Sequence, residues 1–271
     1  MLKANYHTHT KRCGHAVGED KDYVLEALGM GFTELGFSDH IMLPDFRERN
    51  VRGDFELADG YYRSISELKA KYADRVKIYT GFEAESFSLY FPYYRSLLDT
   101  SRIDYLILGN HSRMNERHEL INHFSKVRTA EDLYEYRDLA LSALNTGMFS
   151  CFAHPDYFMS SVENVDRDVK KVMTDLIAIC MELDIPLEVN TAGIRNGKKK
   201  IGDEFRWVYP TDAFFSLAGK MGAKCIIGID AHAPNQLSDE ASLEEAVRFA
   251  RKHGLNLVDR LSFKSPSSFN F

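Results

Sequence analysis

Apolar residues along this chain fall into two alternating kinds of segment. Short, nearly continuous runs of strand length cover Leu2–Tyr6, Thr33–Ser38, Val76–Gly81, Ile103–Gly109, Phe149–Ala153, Pro186–Asn190 and Lys224–Ile229. Continuity, rather than strict alternation, is the pattern of parallel strands covered on both faces. Between these runs, apolar residues at helical spacing predict helices over Lys21–Met30, Phe55–Tyr72, Ala130–Asn145, Val165–Leu183, Thr211–Met221 and Glu240–His253. The stretch Ser86–Arg102, rich in Tyr and Phe, fits a helix or irregular structure equally well. Two charged segments, Ile41–Glu56 and Ser112–Thr129, follow predicted strands and read as loops.

Seven rounds of strand and helix leave an open doubly wound sheet or a closed barrel. The polar residues that end the apolar runs separate the two. His7 and His9 follow the first run, with His15 shortly after; Asp39 and His40 follow the second, Glu83 the third, His111 the fourth and His154 the fifth. Asp230 and His232 follow the seventh. An open sheet concentrates its site at one switch point. A barrel gathers a site from nearly every strand at its C-terminal mouth. The expectation is therefore an α/β fold, a (β/α)7 barrel, with both charged loops over the mouth.

Imidazoles and carboxylates converging from so many strands are the ligand set of Zn, Mn or Fe. In His7-Thr8-His9 and Asp230-Ala231-His232, residues two apart share a side of an extended chain, so each pair can face one ion. Asp39 points away from its neighbour His40 and suits an acceptor that holds a ligand imidazole from behind, or a turn cap. Glu83 has two oxygens and is the candidate bridge between two cations. Glu85, His118, His123 and His253 carry weaker signals: Glu85 can face substrate or solvent, and the three histidines lie in a charged loop or on a helix.

Composition narrows the reading. A 271-residue chain with 44% hydrophobic and 27% charged residues has material for one large core. A net charge of −6 opposes a broad nucleic-acid-binding face. The start lacks the apolar core of a signal peptide, and no run approaches a membrane span, so the expected location is cytoplasmic. Cys151, Cys180 and Cys225 sit in apolar runs as buried thiols, whereas Cys13 stands between His9 and His15, within reach of a metal.

The ordered set of an H-x-H, a further His, S-D-H, G-F-E, N-H-S, A-H-P and D-A-H resembles the polymerase and histidinol phosphatase (PHP) superfamily. Leu187–Arg195 (LEVNTAGIR), Tyr209-Pro210 and Asp230–Pro234 are similar to its histidinol-phosphate phosphatase group. Ile229 and Asn110 depart from the usual residues at their positions, and neither is a ligand. The resemblance implies one phosphatase domain over residues 1–271, a distorted seven-stranded, TIM-like (β/α)7 barrel. It implies three divalent ions: one on His7, His9, Glu83 and Asp230, one on Glu83, His111 and His154, and one on His15, His40 and His232. The implied reaction is hydrolysis of the phosphomonoester L-histidinol phosphate in histidine biosynthesis, with a hydroxide bridging two of the ions as nucleophile. Glu83, Asp230 and His232 are then the catalytic residues. Arg113, Arg117 and Arg195 are candidates for the phosphate, and Asn190, Glu85, Asp156 and Tyr157 for the rest of the substrate.

Other readings use the same residues. A phosphoesterase for nucleotides or oligonucleotide ends needs only a small basic pocket. An amidohydrolase usually shows a bridging Lys at a strand end, which is missing here. A metal-storage protein would bind ions without turnover.

Overall fold

In the computed structural model, residues 2–269 are described, so Met1 and Asn270–Phe271 of the expected domain lie outside the described residues. The main sheet contains β1 (Ala4–Asn5), β2 (Glu34–His40), β3 (Lys77–Ala84), β4 (Tyr105–Leu108), β5 (Phe149–Phe152), β6 (Leu187–Asn190), β7 (Lys224–Gly228) and β8 (Asn256–Leu257). They pair in that order, every neighbour parallel. Every residue of β2 is buried, including the polar Ser38, Asp39 and His40 at its mouth end.

The ends of the sheet meet at the mouth. Thr8 pairs with Ala231, and the His9 amide donates to the Ala231 carbonyl at 2.8 Å. Asn5 ties the same seam from below, donating to the His7 carbonyl at 3.0 Å and accepting from the Ile229 amide at 2.9 Å. The seven expected strands thus close a distorted barrel. The sheet nevertheless has one strand more than expected: β8 pairs with the start of β7. Its two residues are exposed, and a strand of that length is too short to leave an apolar signal.

Helices cover the outside because each has an apolar stripe. In Arg167–Glu182 the buried positions are Val169, Val172, Met173, Leu176, Ile177 and Cys180, a helical spacing that faces the sheet. Ala130–Asn145 starts at a reciprocal cap between Thr129 and Asp132. The undecided Ser86–Arg102 stretch holds the helix Phe91–Asp99, with Pro92 in its first turn. The predicted helix Phe55–Tyr72 begins as a short 3-10 turn and becomes α-helical over Ala58–Lys71.

The Ser112–Thr129 segment is more ordered than the expected loop, with a hairpin of Ser112–Met114 against Leu120–His123. A second unforeseen hairpin joins Lys199–Ile201 to Glu204–Arg206. Inside the barrel, Tyr105 donates to the carbonyls of Tyr6 and Phe37, at 2.7 and 3.1 Å. Its ring occupies space left by Gly36 and Gly81, where any Cβ would collide with it. Phe263, from the segment after β8, stacks on Tyr105 at 4.8 Å and meets Tyr6 and Tyr79 edge-on. The chain's last segment therefore plugs the bottom of the barrel and leaves the mouth for chemistry.

Candidate metal centre

The nine expected ligands come together at the mouth. Around one point, His9 Nε2 lies 3.1 Å from His7 Nε2 and 3.1 Å from Asp230 Oδ1, and Glu83 Oε2 lies 3.4 Å from His9 Nε2 and 3.5 Å from His7 Nε2. The other oxygen of Glu83 faces a second group, with Oε1 at 2.9 Å from His154 Nε2 and 3.5 Å from His111 Nε2. Glu83 therefore offers one oxygen to each group. Farther out, His15 and His232 bring their Nε2 atoms to 2.8 Å. His40 Nδ1 is 3.2 Å from Glu83 Oε2, and His40 also groups with His9 and His232.

Backbone geometry aims these side chains. Asn110, His154 and Asp230 all have positive φ, at 50°, 28° and 51°. Such conformations are costly for non-glycine residues and persist where surrounding structure fixes them. At Asp230 the fixing is visible: Arg195 donates to the carbonyls of Ile229 and Asp230 at 3.1 and 3.0 Å.

A ring of carboxylates and hydroxyls stands behind the ligands. Glu188 Oε1 takes His7 Nδ1 at 2.8 Å, and its Oε2 accepts from the His154 amide at 3.0 Å. Glu85 Oε1 lies 2.8 Å from His111 Nδ1, while its Oε2 accepts from the His111 amide at 2.7 Å. Asp39 accepts from Thr10 and from the His40 amide, with Oδ1 3.6 Å from His9 Nδ1. Carboxylates behind imidazoles fix tautomer and ring orientation, presenting Nε2 to a cation.

Burial raises the electrostatic stakes. Desolvation alone would suppress a charge on His7, but Glu188, Asp230 and Glu83 outweigh it and hold its pKa well above the usual value. Burial likewise opposes charge on His9 and His111, yet Asp230 and Asp39 raise His9 to about 9, and Glu85 and Glu83 raise His111 to about 9. Burial would favour neutral carboxyls, but neighbouring imidazoles keep Glu83 and Asp230 ionised well below the usual range. Desolvation, reinforced by His9, depresses His15 and pushes His232 down to about 3. Burial also pushes His40 well down, despite Glu83.

The donor set fits divalent cations. Two imidazole Nε2 atoms and two carboxylate oxygens crowd one point, and Asp230 Oδ1 and His40 Nδ1 are buried there without a hydrogen-bond partner. Uncompensated burial of such groups is expensive. A cation satisfies all of them together.

Comparison with known proteins places the chain in a family. A sequence profile of the PHP domain matches residues 5–192. The chain belongs to the PHP domain family. Across 85% of its length it is 26% identical to the "Probable histidinol-phosphatase" of Deinococcus radiodurans, covering 86% of that protein. It is 25% identical to the histidinol-phosphatase of Bacillus subtilis, covering 86% of this chain and 94% of that one. Its fold matches the crystal structure of histidinol phosphate phosphatase from Lactococcus lactis, complexed with zinc, L-histidinol and phosphate. The TM-score is 0.70 at 18% identity, over the full length of both chains.

In this PHP domain several candidate substrate contacts have other partners. Asn190 donates to Glu188 at 2.8 Å and to Asp230 at 3.2 Å, and accepts from the Ala192 amide at 2.8 Å, so it supports Asp230 and caps the short helix Thr191–Arg195. Glu85 is buried against His111 and Arg52 rather than facing solvent. Asp156 is buried and accepts from the Thr211 amide at 2.6 Å. Arg113 pairs with Glu135 at 2.6 Å, and Arg117 is exposed at the hairpin turn. Arg195 engages Thr191 and two carbonyls, with the rest of its fork uncommitted by these bonds. Tyr157 stands at the mouth, its ring 5.1 Å from His111 and 5.4 Å from His154, with Tyr209 beside it.

His118 ties the hairpin to the neighbouring loops, 2.8 Å from the Tyr90 hydroxyl and 3.4 Å from Asp45. His123 reaches the Tyr157 hydroxyl at 3.4 Å, and His253 pairs with Asp212 away from the centre. Glu188 and Arg52 were not assigned roles from sequence. Arg52 is buried between Phe46 and Phe87, holding Glu48 and the Ile41 carbonyl and lying 3.6 Å from Glu85. No helix among the described residues is long and apolar enough to cross a membrane.

Proposed function

We propose that this PHP domain is a histidinol-phosphate phosphatase, hydrolysing L-histidinol phosphate to L-histidinol and inorganic phosphate. Its curated relatives carry the histidinol-phosphatase name over most of both chains. The observation that carries the chemistry is the position of Glu83, with one oxygen in each of two ligand groups.

On this reading His7, His9, Asp230 and Glu83 hold one ion, Glu83, His111 and His154 a second, and His15, His40 and His232 a third. Zinc, manganese and iron all suit these ligands. Bound ions supply Lewis acidity toward phosphoryl oxygens and acidify water to give a nucleophile near neutral pH. The chain's own task is positioning. Glu188 and Glu85 hold the His7 and His111 rings from behind by hydrogen bonds, and Asp39 stands 3.6 Å behind His9, so little reorganisation accompanies reaction. Arg195 stiffens the Asp230 turn and can offer its remaining N–H groups to a phosphoryl oxygen. For the departing alkoxide, the Asp230 carboxylate can orient a proton-donating water. Tyr157 and Tyr209 provide an aromatic wall beside His154, suited to an imidazole-bearing substrate.

Phosphate release from L-histidinol phosphate, a nucleoside monophosphate and phenyl phosphate tests the assignment, with His9→Ala as the blank. The expected result is a specificity constant for histidinol phosphate about a hundredfold or more above the others. Equal, slow release from all three would retain a phosphoesterase and remove the biosynthetic substrate.

A further inference from the structure

Cys13 is unlike the other cysteines. Cys151, Cys180 and Cys225 lie within apolar clusters of the core, whereas Cys13 is fully buried yet belongs to neither cluster. It ends the short 3-10 turn Lys11–Cys13, and Gly14 then turns the chain at φ 85° and brings His15 alongside. Cys13 Sγ lies 4.0 Å from His15 Nε2, and Cys13, His15 and His232 bring ligand atoms within 4.8 Å of one another.

Two ligands of a tetrahedral zinc, one thiolate and one imidazole, stand about 3.6 Å apart, from bonds of about 2.3 and 2.0 Å. The observed separation is a few tenths of an ångström wider. Burial and Asp39 push the Cys13 thiol up to about 12 despite the Ala16 amide, which donates to Sγ at 3.3 Å, so the thiol keeps its proton until a cation displaces it. A second observation is that His232 belongs to two ligand groups, one with Cys13 and His15 and one with His9 and the 6% exposed His40, whose unpartnered Nδ1 faces Glu83 Oε2 at 3.2 Å.

We propose that the Cys13 thiolate is a ligand of the outermost ion, joining His15, His232 and His40, and that it biases this position toward zinc over manganese. Entry of the ion releases the thiol proton to solvent, and the sulfur lone pair forms the bond to metal. A soft thiolate discriminates in favour of zinc, whereas the other two ligand groups contain only nitrogen and oxygen. This inference rests on the metal-centre reading.

The test uses the full chain, stripped by chelation and reloaded stepwise with cobalt(II) alone. A sulfur-to-cobalt charge-transfer band is expected as the outermost site fills, with loss of that band in Cys13→Ser. Cadmium-113 NMR of the unaltered protein provides a measurement independent of any variant: one resonance should be shifted downfield by sulfur and the rest should lie in the nitrogen–oxygen range. In competition titrations the zinc-over-manganese preference of the outermost ion should fall in Cys13→Ser. Full metal loading with neither the band nor a sulfur-shifted resonance would overturn the proposal, as would a band that survives in Cys13→Ser. Failure of the underlying metal reading looks different, because cobalt would then not bind stoichiometrically at all.

Discussion

Glu188 joins two ligand-bearing strands, holding the His7 ring and the His154 amide with different oxygens. Glu188→Gln keeps the shape but replaces an ionised acceptor, so zinc affinity should fall by about 10–100-fold in titrations against a competing chelator. An unchanged affinity would reduce Glu188 to a packing role. A second expectation concerns pH. His9 and His111 have folded pKa values of about 9 against an ordinary 6.5, so their ion pairs contribute fully below pH 6.5 and are lost as pH rises through 9. His232, depressed to about 3, costs stability below pH 6.5 and stops doing so above it. Metal-free protein should therefore become less stable in urea melts between pH 6.5 and 9, while metal affinity rises over that interval as the imidazoles lose competing protons. A metal-free protein that gains stability across that range would contradict these couplings.

The candidate ligands were legible in sequence because, His15 apart, they follow apolar runs, a place where packing does not demand a polar atom. Their supports were not. Glu188 lies inside such a run, between Leu187 and Val189, and the one available signal was a carboxylate in a strand buried on both faces. Arg52 looked like any charge in a charged loop. Nor does the sequence show that the Asn190 amide faces Glu188 and Asp230.

At the scale of elements, the parallel strands were legible because burial on both faces leaves continuous apolar runs. β8 was not, with two exposed residues. Nor was Thr191–Arg195, a helix too short to show a period. The packing of β6 on β7 depends on Gly228, where an added Cβ would fall 1.8 Å from Glu188 Oε1. Gly228→Ala must displace that carboxylate. The expected outcome is a loss of about 1–3 kcal/mol in chemical denaturation, accompanied by weaker metal binding. Full stability with native zinc affinity would mean that the seam accommodates the methyl group. The plug below is held by Phe263 on Tyr105, so Phe263→Ala should cost about 2 kcal/mol, less than a fully enclosed phenylalanine, and leave metal affinity intact. Loss of metal binding in that variant would show that the bottom and mouth are coupled.

For the whole molecule, the barrel places ionised carboxylates and imidazoles in a closed ring at one end, and cations are what make that arrangement favourable. Each site held at a hundred times its dissociation constant adds about 2.7 kcal/mol to folding. Chelation should therefore lower the melting temperature substantially, and zinc or manganese should restore it. The most direct test of the account is phosphate release from L-histidinol phosphate by chelated and reloaded protein, beside Glu83→Gln. The account predicts that chelation abolishes turnover, that zinc or manganese restores it, and that Glu83→Gln loses about a thousandfold. Turnover that survives chelation, or that persists in Glu83→Gln, would contradict it.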